Sequence, residues 1–98
     1  MKRLGFVWDD AKSVANKRKH GVSFEEASSV FADEEALLLD DRDHSNEEDR
    51  FVLLGLSSSL RVLVVCHCYR ETESTIRIIS ARKANRSERE QYLVRRRR

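Results

Sequence analysis

The sequence predicts an α+β domain in which two N-terminal helices and a C-terminal helix pack on a mainly antiparallel sheet of four to five strands. Three observations lead to this prediction. Helix-start signals occur early, at Asp9-Asp10 and at Ser23. An arginine-rich helical segment ends the chain. Between them, β-prone runs with short connections favour an antiparallel meander, at residues 36–40, 51–57, 61–69 and 75–82.

The N-terminal part begins with a short apolar run at residues 5–8, which predicts a first strand. Asp9 or Asp10 is a suitable N-cap for a helix that extends to about His20. Gly21 follows as a left-handed terminator. Helical spacing predicts a narrow buried stripe on this helix, made of Ala11, Val14, Ala15 and Arg18.

A second helix is predicted from the capping-box pair Ser23 and Glu26 to about Ala32. Val22 precedes the cap and is placed to pack on Ala27 as a hydrophobic staple. The run at residues 61–69 is the most β-prone of the chain, and we therefore expect it to form a central strand.

Charge is strongly segregated along the chain, although the net charge is only +2. Residues 33–50 carry nine acidic and two basic side chains, and their polar part after residue 40 predicts an exposed loop. Residues 81–98 carry eight basic and two acidic side chains. This basic end favours a polyanion or an acidic protein as partner, and a solvated helix face is the alternative. We assign residues 1–94 to one domain and residues 95–98 to a basic tail.

Composition excludes several classes of protein. No apolar run approaches the ~20 residues of a membrane-spanning helix, and the N-terminus lacks the apolar core of a secretory signal. We therefore expect a cytoplasmic protein with no membrane partner. Cys66 and Cys68 read as reduced thiols, and His67 between them would face the opposite side of a strand. No zinc-type spacing follows, so neither a metal site nor a cofactor is expected.

A candidate catalytic pair lies on the two strands at residues 61–69 and 75–82. If Tyr69 pairs with Thr75, His67 stands directly opposite Arg77. An imidazole transfers protons near neutral pH, and a guanidinium stabilises charge on a phosphorane-like transition state. In RNA the substrate's own 2′-hydroxyl can be the nucleophile. This pattern therefore favours phosphodiester cleavage without a metal.

A second group of candidates lies where the last strand passes into the last helix. Arg82, Lys83 and Arg86 surround a helix start that Asn85 and Glu88 are placed to cap. Backbone N–H groups at such a helix start favour phosphate, and nearby cations strengthen that preference. Further candidates for contacts with RNA are Tyr69, Lys19 and His20.

Three segments resemble the BrnT family of type II toxins, in the expected order: WDDAKSVANKRKHG, RVLVVCHCYRE and IRIISARKANRSEREQY. The resemblance implies a RelE-like fold and an RNA-cleaving toxin that needs no metal and inhibits translation, with RNA as substrate either free or on the ribosome. It also implies a cognate BrnA-type ribbon-helix-helix antitoxin. In such heterotetramers the antitoxin neutralises the toxin and contacts the operator DNA.

Carried over by matching motif, the active surface would involve His67, Arg77, Arg82, Lys83 and Glu71 as catalytic residues and Arg61 as an RNA-binding residue. The other predicted RNA-binding residues, Tyr69, Arg86, Lys19 and His20, are selected from the residue pattern itself. Two alternatives to an enzyme are consistent with the residues. One is a non-catalytic module that binds nucleic acid or protein and acts as co-repressor. The other is a metal-binding regulator that uses Cys66, Cys68 and a histidine.

Overall fold

The computed structural model describes residues 5–40, 50–70 and 74–97. Most of the predicted acidic loop (41–49) and the predicted catalytic residue Glu71 lie outside these ranges. The predicted α+β class is confirmed. The elements are β1 (Gly5–Val7), α1 (Asp10–His20), α2 (Phe24–Ser29), a 3₁₀ turn (Val30–Ala32), β2 (Leu37–Asp40), β3 (Arg50–Leu56), β4 (Val62–Arg70), β5 (Thr75–Lys83) and α3 (Arg86–Arg96).

The five strands form one sheet in the order β1-β5-β4-β3-β2. The strands β2 to β5 pair antiparallel with their chain neighbours, which confirms the predicted meander and the central position of β4. Strand β1 pairs parallel with β5, but only along Thr75, Ile76 and Arg77. The rest of that edge of β5 is therefore left to another element.

One face of the sheet, which we call the closed face, is covered by α2 and the 3₁₀ turn. Phe24, Ala27 and Val30 pack there on a row of fully or almost fully buried strand residues, namely Leu53, Leu63, Val65, Ile76 and Ile78. The approach is closest at Gly55. A Cβ atom there would lie 2.9 Å from Val30 Cγ1. The 3₁₀ turn can lie directly on β3 because this position has no side chain.

Among the described residues, those of α3 cover one end of the opposite face, which we call the open face. Tyr92 of α3 packs on Leu54, Val64 and Ala84, and its hydroxyl donates a 2.7 Å hydrogen bond to Asp33 Oδ2. Burial, together with this bond to a carboxylate, raises the pKa of Tyr92 to about 12. Helices thus pack on both faces of the sheet, whereas the sequence predicted that helices would cover at least one face.

The C-terminal helix extends further than predicted. It runs through Arg96 and so includes Arg95 and Arg96. The predicted cap of this helix is confirmed. Asn85 Oδ1 accepts from the Glu88 N–H, and Glu88 Oε1 accepts from the Asn85 N–H, both at 2.8 Å. No helix in the described ranges is long and apolar enough to cross a membrane.

Helix α1 has the predicted ends but not the predicted buried face. Asp9 caps it by accepting from the Lys12 N–H at 2.9 Å, and Gly21 ends it with a φ of 71°. The predicted stripe is wrong, because Ala11, Val14, Ala15 and Arg18 are all exposed. The buried residue of α1 is Asn16. The contact of this helix with the sheet is polar, which a search for apolar spacing does not detect.

The Asn16 amide serves as a hydrogen-bonding partner for the edge of β5 that β1 leaves uncovered. Its Nδ2 donates to the carbonyl oxygens of Ala81 at 2.8 Å and Val22 at 2.9 Å. Its Oδ1 accepts from the Ala81 N–H at 3.1 Å. Buried backbone groups that would lack partners are thereby satisfied, and α1 is fixed at one height along β5.

Helix α2 has half of its predicted capping box. Ser23 Oγ accepts from the Glu26 N–H at 3.0 Å. The Glu26 carboxylate instead accepts from Ser57 Oγ at 2.7 Å and from the guanidinium of Arg61. The hydrogen bond from Arg61 is the main cause that lowers the pKa of Glu26. This ion pair ties α2 to the turn between β3 and β4.

Candidate active site

The register of β4 and β5 differs from the predicted one. Arg70 pairs with Thr75, so the connection is one residue shorter than the sequence analysis assumed. His67 consequently lies opposite Ile78, and Arg77 lies opposite Cys68. Residues adjacent along a strand point to opposite faces. The predicted His67–Arg77 pair is therefore wrong, since the two side chains lie on different sides of the sheet.

His67 lies in the core on the closed face, with no exposed surface. Its ring centroid is 4.8 Å from that of Phe31, 5.6 Å from that of Tyr69 and 6.1 Å from that of Phe51. Nδ1 lies 3.2 Å from the carbonyl oxygen of Val65, while Nε2 has no hydrogen-bond partner among the described residues. Burial lowers the pKa of His67. A neutral ring that solvent does not reach is not a group that can contact RNA in this conformation.

The open face carries a groove of about 400 Å³. Its floor is formed by side chains of β3, β4 and β5, and one end of α1 forms a wall. Basic side chains come from three different elements, and apolar and small polar side chains lie between them. The lining residues are His20, Arg50, Val52, Val64, Cys66, Ile79, Ser80, Ala81 and Arg82. We call this the open-face groove.

A β-bulge gives β5 its share of the groove. The pairing of β4 with β5 shifts between Cys66 and His67, and Ile79 is the residue of β5 without a partner. Ile78 before the bulge is buried on the closed face, and Ile79 lines the groove. Arg82 thereby falls on the open face together with Ser80. Uninterrupted alternation along β5 would place Ala81 on the same face as Arg77, but Ala81 belongs to the closed-face core.

Arg82 is held at the junction of β5 and α3 by a bidentate ion pair. Its two terminal nitrogens lie 2.8 Å and 2.9 Å from the two carboxylate oxygens of Glu88. The hydrogen bonds from Arg82 are the main cause that lowers the pKa of Glu88. Because Glu88 also caps α3, it fixes the guanidinium beside the helix N-terminus. The predicted association of Arg82 with this helix start agrees with the geometry.

Arg50 and Arg77 extend the cationic surface along the open face. Both pair across the sheet with Cys68, so their side chains leave the same face on either side of β4. The adjacent cross-strand row consists of Val52, Cys66 and Ser80, which line the groove. Within the described ranges Arg77 forms no ion pair. Three arginines thus surround one sheet surface that a helix does not cover.

Several predicted site residues lie away from this surface. Arg61 is bound to Glu26 and donates to the carbonyl oxygen of Gly21 at 3.0 Å. Lys83 pairs with Leu63, which belongs to the closed-face core, and its charge contributes to lowering the pKa of Glu26. Arg82 and Lys83 are adjacent in sequence, but their side chains therefore lie on opposite faces of the sheet.

The remaining candidates have simpler positions. Tyr69 packs beside Phe51, with ring centroids 5.5 Å apart, at the end of the sheet near His67. Lys19 is exposed on the last turn of α1. Arg86 is exposed as the first residue of α3, and its Nε lies 3.4 Å from a carboxylate oxygen of Glu90. Of these three, Arg86 is nearest along the chain to the Arg82–Glu88 pair.

The groove contains residues that the sequence analysis did not select. Arg50 was assigned to the acidic loop, and Cys66 and Ser80 were not considered as groove residues. The residues after Arg50 form a continuous apolar run, so no alternation marks Arg50 as the start of the strand. No group of three or more histidine, cysteine or acidic side chains within the described ranges is arranged to hold a metal ion.

The fold and groove define a small α+β protein whose uncovered sheet face concentrates groups suited to bind phosphates. Comparison with known proteins agrees. Residues 8–88 match the family described as "Ribonuclease toxin, BrnT, of type II toxin-antitoxin system". The chain belongs to this family of toxins, which confirms the resemblance.

A solved structure supports the fold. The crystal structure of the Brucella abortus ribonuclease toxin BrnT, at 1.1 Å resolution, matches with a TM-score of 0.65 and 21% sequence identity. The match covers 85% of this chain and 99% of that chain. At this level of identity the likeness concerns the fold. No curated protein sequence matches the chain.

Proposed function

We propose that this protein is a metal-independent endoribonuclease that binds and cleaves RNA in the open-face groove. The observation that carries the proposal is the convergence of His20, Arg50 and Arg82 on one uncovered surface. Membership of a ribonuclease toxin family supports the choice of RNA among possible polyanions. The open shape of the groove suits an extended single strand better than a small enclosed ligand.

The reaction uses the 2′-hydroxyl of the substrate as nucleophile. Attack on phosphorus places additional negative charge on the non-bridging oxygens. Arg82, aligned by Glu88, and Arg77 are the guanidinium groups that stabilise this charge. Arg86 adds a phosphate contact at the start of α3. Neither His67 nor Lys83 is included, because both leave the sheet on its other side.

In the cell, cleavage by this toxin inhibits translation in the cytoplasm, and a cognate antitoxin prevents it. The place of the family in type II toxin-antitoxin systems supports an antitoxin partner. We propose a BrnA-type ribbon-helix-helix protein that forms a heterotetramer with the toxin and makes the contacts with operator DNA. The RNA substrate is either free or bound to the ribosome.

The proposal is tested with purified protein, an end-labelled RNA and a metal chelator. We expect new 3′ ends that carry a 2′,3′-cyclic phosphate. Arg77→Ala and Arg82→Ala should each reduce the cleavage rate ~100-fold or more, since each removes a donor to the charged transition state. Arg18→Ala is the matched control. It removes an exposed arginine of α1 outside the groove, and its cleavage rate should equal that of the wild type.

Circular dichroism shows whether each variant is folded. Expression in cells without the antitoxin should arrest growth for the wild type and Arg18→Ala but not for the two groove variants. If folded wild type cleaves no RNA with or without ribosomes, the protein is instead a non-catalytic co-repressor. If folded Arg82→Ala cleaves at the wild-type rate, the groove is not the active site.

A further inference from the structure

The open-face groove contains one imidazole from the described part of the chain, that of His20. From the sequence, His20 was expected to bind RNA and His67 to transfer the proton, but His67 is buried. We propose that His20 is the general base of the cleavage reaction. This inference rests on the proposed function and deepens it by naming the catalytic residue that accepts the proton.

The position of His20 follows from how α1 is attached to the sheet. Asn16 binds both backbone groups of Ala81, so this turn of α1 is fixed beside that residue. His20 follows one helical turn later, on the same side of the helix and ~6 Å further along its axis. The neighbours of Ala81 in the strand, Ser80 and Arg82, line the groove together with His20.

The base and a phosphate-binding arginine are thus supplied by two elements that are hydrogen-bonded at Ala81. Such an attachment limits their relative movement, because the two hydrogen bonds between the buried Asn16 amide and Ala81 would have to break. Precise relative placement of this kind is what proton transfer in a transition state requires. Asn16 is accordingly a positioning residue and not a catalytic one.

Other titratable or charged groups also face the groove. Arg50 comes from β3, Cys66 from β4 and Arg82 from β5, while Lys17 and Lys19 precede His20 on its own helix. Guanidinium groups do not give up their protons in proteins. Among these groups, imidazole is the side chain that ordinarily exchanges a proton near neutral pH. The Cys66 thiol is the rival that an experiment must separate from it.

The proposed step balances as follows. An unprotonated nitrogen of His20 takes the proton of the 2′-hydroxyl, and the 2′-oxygen forms a bond to phosphorus. The bond between phosphorus and the 5′-oxygen breaks, and the 5′-oxygen takes a proton from water, which reaches the open groove. The products are a 2′,3′-cyclic phosphate and a 5′-hydroxyl, and protonated His20 returns its proton to solvent.

The test compares wild type with His20→Gln on one defined oligoribonucleotide across neutral pH. Glutamine keeps a polar side chain but cannot accept the proton. We expect kcat to fall ~100-fold or more, with KM nearly unchanged. The rise of kcat/KM with pH that a base produces should also disappear. Lys12→Gln, an exposed position on the same helix, is the matched control and should behave as wild type.

Two further measurements identify the role. Cys66→Ser should retain the rise with pH, and loss of that rise would assign the base to the thiol. A substrate with a bridging sulfur at the 5′ position needs no protonation of its leaving group. His20→Gln should remain equally deficient on it, and rescue would overturn the role of base. If wild type fails to cleave, the proposed function fails. If His20→Gln cleaves as wild type does, only this inference fails.

Discussion

Two histidines lie in the described part of the chain, one against each face of the sheet, and their surroundings are opposite. His67 on the closed face is enclosed by aromatic rings, with no exposed surface and with Nε2 unpartnered in the described structure. His20 lines the open-face groove beside arginines. The same side chain is thus a packing element on one face and a candidate for chemistry on the other. Residue type alone does not distinguish these roles, whereas helix coverage does.

The closed face contributes mainly to stability, whereas the open face carries the groups suited to chemistry. On the closed face, α2 and the 3₁₀ turn remove apolar surface from water, and this burial is the main favourable term in folding. On the open face, only one end is covered, by Tyr92. Substitutions on the closed face should therefore change the free energy of unfolding, and those in the groove should change RNA cleavage.

The adjacent isoleucines at the bulge provide the largest expected contrast. Ile78 is 1% exposed in the closed-face core, and Ile79 is half-buried in the groove. Ile78→Ala should lower the free energy of unfolding by about 2–5 kcal/mol, because it leaves a cavity in a closely packed core. Ile79→Ala should cost about 1 kcal/mol, since less apolar surface is removed from water. Urea denaturation of both variants measures the difference.

The two variants are controls for each other, since they make the same chemical change at neighbouring positions. Equal losses of stability would contradict the assignment of the two residues to opposite faces. A larger loss for Ile79→Ala would mean that Ile79 and not Ile78 lies in the closed-face core, as the predicted pairing of Tyr69 with Thr75 requires.

The same position shows where prediction from sequence ends. Element types, most element boundaries and the helix caps follow from local signals, such as Asp9 before α1 and Asn85 before α3. Register is different, because a shift of one residue reverses every side chain. The connection before Thr75 is one residue shorter than assumed, and nothing local in the adjacent Ile78 and Ile79 identifies which is bulged. The length of the connection and the position of the bulge both depend on tertiary packing.

The candidate site was predictable in parts but not as an assembly. Arg77, Arg82 and His20 were selected individually because cations and imidazole suit phosphate chemistry. Their arrangement depends on the register of β5 and on the polar attachment of α1 through Asn16. Arg50 was missed because the strand that carries it begins directly after an acidic segment. Position along the chain could not show that these residues share a face.

A second contrast concerns two strand glycines. A Cβ atom at Gly55 would lie 2.8 Å from the Ala36 Cβ atom and 2.9 Å from Val30 Cγ1, whereas one at Gly5 would meet nothing closer than 3.8 Å. Gly55→Ala should therefore lower the free energy of unfolding by about 1–3 kcal/mol through overpacking. Gly5→Ala, the matched control, should change it by less than ~0.5 kcal/mol. Thermal or urea unfolding measures both, and equal effects would contradict the close approach of the 3₁₀ turn.

A third prediction concerns the pH dependence of stability. Unfolded His67 binds a proton as the pH falls below about 6.5, whereas burial lowers the pKa of the folded residue, which therefore binds a proton only at lower pH. The unfolded state then binds more protons than the folded state. The free energy of unfolding therefore decreases as the pH falls, by up to about 1.4 kcal/mol per pH unit. His67→Phe should remove this part of the loss. Urea denaturation of both proteins at pH ~7 and ~5 measures it.

The ion-paired carboxylates of Glu26 and Glu88 contribute little to the loss of stability between pH ~7 and ~5. Arginine partners lower the pKa values of Glu26 and Glu88 below 4.5. Their contribution to stability is complete above that value and is lost only as the pH falls through the lowered values. If wild type and His67→Phe lose equal stability between pH ~7 and ~5, protonation of His67 on unfolding does not contribute to that loss.

The smallest expected effect is at Leu60, which belongs to neither face. It lies in the turn between β3 and β4, is 78% exposed and has a φ of 62°. A left-handed conformation costs a residue with a Cβ atom about 1–2 kcal/mol. Glycine removes this cost but gives the unfolded chain more freedom. Leu60→Gly should therefore raise the free energy of unfolding by about 0.5 kcal/mol, measured by urea denaturation.

Ser59→Gly is the matched control for this change. Ser59 is exposed in the same turn. Among the described residues other than glycine, a positive φ occurs at Leu60 and not at Ser59. Glycine at Ser59 relieves no strain, so it should lower stability by about 0.5 kcal/mol. Neither variant should change RNA cleavage, because the turn lies outside the groove. Opposite signs at two adjacent positions would establish backbone strain, and equal signs would contradict it.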